Sequence, residues 1–173
     1  MKYIMTYWAM PEKEDAAYLQ TMNNNLSSRY DAVPFDPHLT IFGDQLIERS
    51  KAVRVLDEIV KGILPFDIKV DQINQSELFW KTVCIELKPN KNLTLLNKRL
   101  SEQFPHKDYT FLPHMSLLYQ SLSKKTKKNI ISRLCIKNTF RISTVAVIAA
   151  GQKKEDLYDI ASWKIVKKIR LSV

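Results

Sequence analysis

Asp36-Pro37-His38-Leu39-Thr40-Ile41-Phe42 and Leu112-Pro113-His114-Met115-Ser116-Leu117-Leu118 are two copies of one pattern: proline, histidine, apolar, hydroxyl, apolar, apolar. Proline disfavours helix for the residue ahead of it. The apolar run behind it suits a strand. In a strand, residues two apart share a face. His38 and Thr40 therefore point one way and Leu39 and Ile41 the other; His114 and Ser116 likewise oppose Met115 and Leu117. Each copy reads as a strand presenting an imidazole and a hydroxyl together, and two facing copies would line one pocket.

Working outward, helix and strand signals flank both copies. Lys2 to Trp8 reads as a first strand, and Pro11 with Glu12, Glu14 and Asp15 as a helix start. Leu19, Met22 and Leu26 recur at helical spacing, and Asn23-Asn24-Asn25 weakens the helix end. The first histidine strand spans about Asp36 to Phe42. Ser50 is placed as the cap of a second helix burying Ala52, Val55, Leu56, Ile59, Val60 and Ile63. Phe66 to Ile73 and Leu78 to Leu87 alternate as a hairpin around Asn74 to Glu77. Asn92 to Phe104 forms a third helix through Leu93, Leu96 and Leu100, and Ser123 opens a fourth after the second histidine strand. Thr139 to Ala150 reads as a strand buried on both faces. A last strand is expected to carry Leu157, Ala161, Trp163, Ile165 and Ile169 on one face.

Strand, helix, histidine strand, helix and hairpin are thus followed by helix, histidine strand, helix and hairpin. The histidines lie 76 positions apart (114 − 38). That spacing matches no short-period repeat array. It predicts an α+β fold, residues 1–173 forming one domain of two pseudo-symmetric lobes. Each lobe has a mostly antiparallel sheet with helices outside, and a central active-site cleft lies between them.

The 173 residues, 45% of them hydrophobic, suffice for a substantial core. The net charge of +9 favours anionic partners such as nucleotides or RNA ends. No stretch approaches the roughly 18 apolar residues of a membrane span, and the opening residues lack a signal-peptide pattern. A soluble, cytoplasmic protein is expected, with no membrane partner and as a monomer. Cys84 and Cys135 are too few for a disulfide framework and are read as reduced and structural. Lys124, Lys125, Lys127 and Lys128 crowd a helix start, where the dipole disfavours them, and hint at an anion-attracting patch.

Two imidazoles can divide acid–base work: a neutral one takes a proton from the attacking oxygen, and a protonated one gives a proton to the leaving oxygen. Hydroxyls two residues on can donate to non-bridging phosphate oxygens. The constellation suits phosphodiester cleavage. A metal centre wants three or four ligands. The remaining histidine, His106, falls in an expected loop, so no metal and no cofactor is predicted. Gly-rich phosphate loops, Cys-x-x-Cys and nucleophile elbows are absent from the sequence. Tyr119 and Trp8 are further candidates for substrate contact.

His38-Leu39-Thr40 and His114-Met115-Ser116 resemble the paired His-x-Thr/Ser signature of the 2H phosphoesterase superfamily. With Leu117-Leu118-Tyr119 following, the second motif is most similar to the cyclic phosphodiesterase branch. The resemblance implies a metal-independent hydrolase opening a nucleotide cyclic phosphate, such as ADP-ribose 1″,2″-cyclic phosphate or a nucleoside 2′,3′-cyclic phosphate. It makes His38 and His114 the catalytic pair and Thr40 and Ser116 the phosphate-binding hydroxyls. By the family pattern, His114 is general base and His38 general acid. The alternatives are an RNA 2′,3′-cyclic-end phosphodiesterase of the same fold and a non-catalytic nucleotide- or RNA-binding module.

Overall fold

The computed structural model describes residues 1–105 and 110–172, so the loop expectation for His106 lies outside the described residues. The strands are β1 (Lys2–Pro11), β2 (Leu39–Glu48), β3 (Phe66–Gln75), β4 (Val83–Leu87), β5 (His114–Leu118), β6 (Thr139–Ala149) and β7 (Lys164–Arg170). The helices are α1 (Lys13–Arg29), α2 (Arg49–Ile59), α3 (Lys91–Gln103) and α4 (Lys124–Ile131).

Every strand pairing is antiparallel, and the strand order is β1-β2-β5-β4-β3-β6-β7, with β6 pairing back onto β1. The fold is α+β, as expected. One arm is β2-β1-β6-β7 and the other β5-β4-β3. Two narrow seams join them. Phe66–Lys69 of β3 pairs with the start of β6. At the other seam, Leu39 pairs with Met115. Helices α2 and α3 pack on the first arm, α1 chiefly on β5 and α4 on β3.

Apolar burial explains these choices. β1 and β6 are buried along most of their lengths, which suits strands paired on both edges and covered on both faces. In α2, Ala52, Val55, Leu56 and Ile59 are all buried against the sheet. Val55, Leu56 and Ile59 each stabilise the fold by about 1.5–3 kcal/mol relative to exposure. The Asn90 side chain caps α3 by accepting from Asn92 N and Leu93 N, and the Ser123 side chain caps α4 by accepting from Thr126 N.

Several boundaries differ from the sequence reading. Pro11 ends β1, opposite Ile142, rather than opening α1, whose N-cap is Glu12. Ser50 lies inside α2, whose N-cap Glu48 makes no side-chain cap bond. β2 starts one residue after His38 and runs on to Glu48. Gly43 and Asp44 stand together opposite Thr6 in a bulge that a turn-like sequence concealed. Leu78 to Thr82 is not strand: the Thr82 hydroxyl bonds the Phe79 and Gln120 carbonyls and shapes a short 3₁₀ turn, Phe79–Lys81. Leu157 and Ala161 likewise sit in 3₁₀ turns ahead of β7.

Asn23 does not weaken α1, which continues to Arg29. Asp15, Leu19, Asn23 and Ser27, four residues apart, form its buried stripe. Lys127 is 1% exposed and donates to the Ser76 carbonyl and Glu77, so it anchors the β3–β4 link and is not part of an open anion patch. Both cysteines are free; Cys84 is buried, but Cys135 is exposed and not a core residue.

Candidate functional site

The seam between the arms decides the site. Leu39 and Met115, the paired residues, each directly follow a histidine. Antiparallel pairing at that point sets His38 across from Ser116 and Thr40 across from His114, all four on the face opposite Leu39 and Met115. His38, Thr40, His114, Trp8 and Tyr119 line a cavity of about 410 Å³.

The prolines have a specific effect. Each holds the preceding residue extended, and in both copies that residue's carbonyl turns back onto the imidazole. His38 Nδ1 lies 2.6 Å from Asp36 O, and His114 Nδ1 lies 2.9 Å from Leu112 O. A carbonyl can only accept, so Nδ1 carries the proton in both rings. Nε2 is left as the nitrogen able to exchange protons with a ligand.

The His38 ring is packed on several sides. Trp8 stacks on it with centroids 3.6 Å apart and planes 9° apart, and Phe35 meets it edge-on at 5.9 Å. The Tyr119 hydroxyl makes a long 3.4 Å contact with Nε2. His38 is buried, and that desolvation, helped by the charge of His114 and opposed by the Asp36 carbonyl, lowers its pKa to about 4. His114 is half-buried; its pKa is lowered by burial and by Lys81, against the Leu112 carbonyl and Glu86. Burial pushes the Tyr119 phenol well above its ordinary range, so it remains a donor at neutral pH.

The two hydroxyls are in different situations. Thr40 lines the cavity. Ser116 is buried, is not among the lining residues, and donates to the Trp80 carbonyl at 2.5 Å. Trp8 is buried between His38 and the tilted ring of Trp163, at 3.6 and 5.7 Å between centroids, and also reaches the cavity.

Other lining residues carried no motif. Leu78, Trp80, Leu157 and Trp163 form an apolar wall, and Lys81 and Asp44 supply charge. Asp44 has φ +60°, and burial raises its carboxyl pKa while Lys154 opposes. Asn23 was also missed. Its amide nitrogen donates to Leu117 O at 3.1 Å and its oxygen accepts from Phe35 N at 3.0 Å. One buried side chain of α1 thereby links the segment ahead of His38 to β5. The signal was present as a polar residue on the four-residue stripe of α1. Trp80, Lys81 and Trp163 gave no such signal, because irregular turns bring them in. Among the described residues, no group of three or more His, Cys, Asp or Glu side chains is arranged to hold a metal ion. No helix among them is long and apolar enough to cross a membrane.

Residues 11–154 match the family described as the 2′-5′ RNA ligase superfamily. A cyclic phosphodiesterase of Arabidopsis thaliana is 23% identical over 129 residues, covering 74% of this chain and 71% of that protein. E. coli LigT complexed with 3′-AMP superposes with a TM-score of 0.61 at 14% identity, covering 100% of both chains. The TT0787 protein of Thermus thermophilus superposes with a TM-score of 0.65 at 13% identity, covering 97% of each.

Proposed function

Because the chain belongs to the 2′-5′ RNA ligase superfamily, we propose that it is a cyclic phosphodiesterase that opens a nucleotide cyclic phosphate to a phosphomonoester by two-histidine acid–base catalysis. The observation that carries the reading is the matched pair of imidazoles at one cavity, each with Nδ1 bonded to the carbonyl two residues back. A single core histidine needs no such twin.

In the reaction, a water oxygen attacks phosphorus and the bond from phosphorus to one ribose oxygen breaks. One Nε2 takes the water proton; the other imidazole, protonated, gives its proton to the departing ribose oxygen. Proton exchange with solvent resets both rings. Burial lowers the proton affinity of both imidazoles and does so more strongly at His38, so we assign His38 as base and His114, the more easily protonated of the two, as acid. This reverses the assignment implied by family resemblance. Thr40 offers its hydroxyl to a non-bridging oxygen, and Tyr119 sits beside the base. The apolar wall of Trp80, Leu157 and Trp163 suits the face of a nucleobase. The chemistry is proposed to need no metal.

The test is turnover of ADP-ribose 1″,2″-cyclic phosphate, the four nucleoside 2′,3′-cyclic phosphates and a cyclic-ended oligoribonucleotide, with and without EDTA. Opening of at least one small cyclic phosphate, undiminished by EDTA, is expected. Activity on the oligoribonucleotide alone selects the RNA-end reading. Binding without turnover of any of them selects the non-catalytic module, and loss in EDTA restored by one divalent ion makes the site metal-dependent.

A further inference from the structure

The non-bridging oxygens of a cyclic phosphodiester carry no proton at neutral pH and only accept hydrogen bonds, so a hydroxyl serves them only with a proton to spare. The single proton of Ser116 goes to the Trp80 carbonyl. By the repeat, Ser116 should mirror Thr40, yet it has no proton left to give. The next residue along from that carbonyl is Lys81.

Lys81 lines the cavity, is half-buried, and forms no ion pair among the described residues. Glu86, whose charge it feels, is already held by Gln72 and Asn74, each at 2.7 Å. The turn carrying Lys81 is pinned on several sides. Ser76 donates to the Lys81 carbonyl from its amide at 3.0 Å and its hydroxyl at 3.1 Å. Thr82 reaches the Gln120 carbonyl at 2.6 Å, and the buried Lys127 holds the Ser76 carbonyl at 2.8 Å. An ammonium that makes no ion pair among the described residues, on a fixed turn at the wall of a mostly apolar cavity, is an arrangement that an anion would complete.

Resting on the phosphodiesterase reading and deepening it, we propose that Lys81 contacts the substrate's phosphoryl oxygen on the His114 side, while Ser116 positions the turn that carries it. Lysine suits this place as a compact charge with three donors on a flexible stem. The two halves of the repeat then bind phosphate by different means: a hydroxyl from the first and an ammonium from the second.

The experiment titrates inorganic phosphate into wild type, Lys81→Met, Lys81→Arg, Ser116→Ala and the Lys81→Met/Ser116→Ala double variant, following the ring-proton NMR signals of His38 and His114, with cyclic-phosphate turnover measured alongside. In Lys81→Met, phosphate affinity should fall about 10-fold or more, the scale of one charge-assisted hydrogen bond. Lys81→Arg should stay within about threefold of wild type. The free-protein pKa of His114 should rise in Lys81→Met and not in Lys81→Arg, since the lysine charge depresses it. The Lys81→Met/Ser116→Ala double variant should bind phosphate no more weakly than Lys81→Met alone, because both act on one contact. Wild-type affinity in Lys81→Met, or weakening in Ser116→Ala without weakening in Lys81→Met, overturns the proposal. A wild type that binds phosphate through Lys81 but opens no cyclic phosphate removes the phosphodiesterase reading and leaves this contact standing.

Discussion

His38 is 4% exposed, flat against Trp8 and edged by Phe35, whereas His114 is half-buried and looks toward Lys81 and Glu86. Five residues beyond His38 stands Gly43, with nothing closer to an added Cβ than Thr40 Cγ2 at 3.7 Å. Five residues beyond His114 stands Tyr119, whose ring stacks on Phe35 at 3.9 Å and whose hydroxyl reaches the other histidine. Thr40 opens to the cavity and Ser116 is closed off by Trp80. Like motifs in unlike surroundings separate the proton affinities of two equivalent imidazoles. That separation is what acid–base division of labour requires.

The largest test of this asymmetry is to remove each histidine. His38→Ala and His114→Ala should each lose about 10²- to 10⁴-fold in turnover on a cyclic phosphate, and the double variant little more, because the pair acts as a unit. The pH–rate profile reads alike for either assignment of acid and base, since only one proton is shared out. A nitrophenyl phosphodiester separates them, because nitrophenolate departs without a proton. His114→Ala should recover most of its activity on that substrate, and His38→Ala should not. The opposite recovery would restore His114 as base.

A smaller effect is expected at Asn23, which joins the two regions. Asn23→Ala leaves Leu117 O and Phe35 N without their partner and should cost roughly 1–3 kcal/mol in thermal or denaturant melts. With Phe35 no longer held, the His38 pKa should rise from about 4 toward the ordinary histidine range, read by NMR titration. Turnover should fall about 10-fold with little change in KM, as expected when reacting groups are slightly misplaced. An unchanged His38 titration would limit Asn23 to a purely structural role.

The smallest effect concerns stability against pH. With its folded pKa below the unfolded value of about 6.5, His38 binds fewer protons folded than unfolded in the window between. Its contribution is therefore full above about pH 6.5 and is lost as pH falls toward about 4. The melting temperature of His38→Gln should decline less steeply than that of wild type from pH 7 to pH 4. Equal slopes would mean that His38 is not buried in the neutral form.

How much of this was legible in the chain differs between fold and site. Alternation in β3, the apolar run of β6 and the helical stripes of α2 and α3 are local signals, and the elements follow them. The paired Pro-His-x-Thr/Ser copies likewise pointed to His38 and His114, because the chemistry and the strand period are both written within a few residues. Boundaries failed where a tertiary partner overruled local habit: β1 holds Pro11 in a strand, a bulge carries β2 past Gly43, and Thr82 bends Leu78 to Lys81 out of β4. Apart from Trp8 and Tyr119, the surroundings of the histidines were beyond local reading. Phe35, Lys81 and Asn23 come from separate segments, and no period links them to either motif. The sequence by itself determined which groups could do the chemistry. Only the tertiary structure decided which imidazole is the more deeply desolvated, which hydroxyl is free and where the cation stands, because burial and charge are properties of neighbours in space.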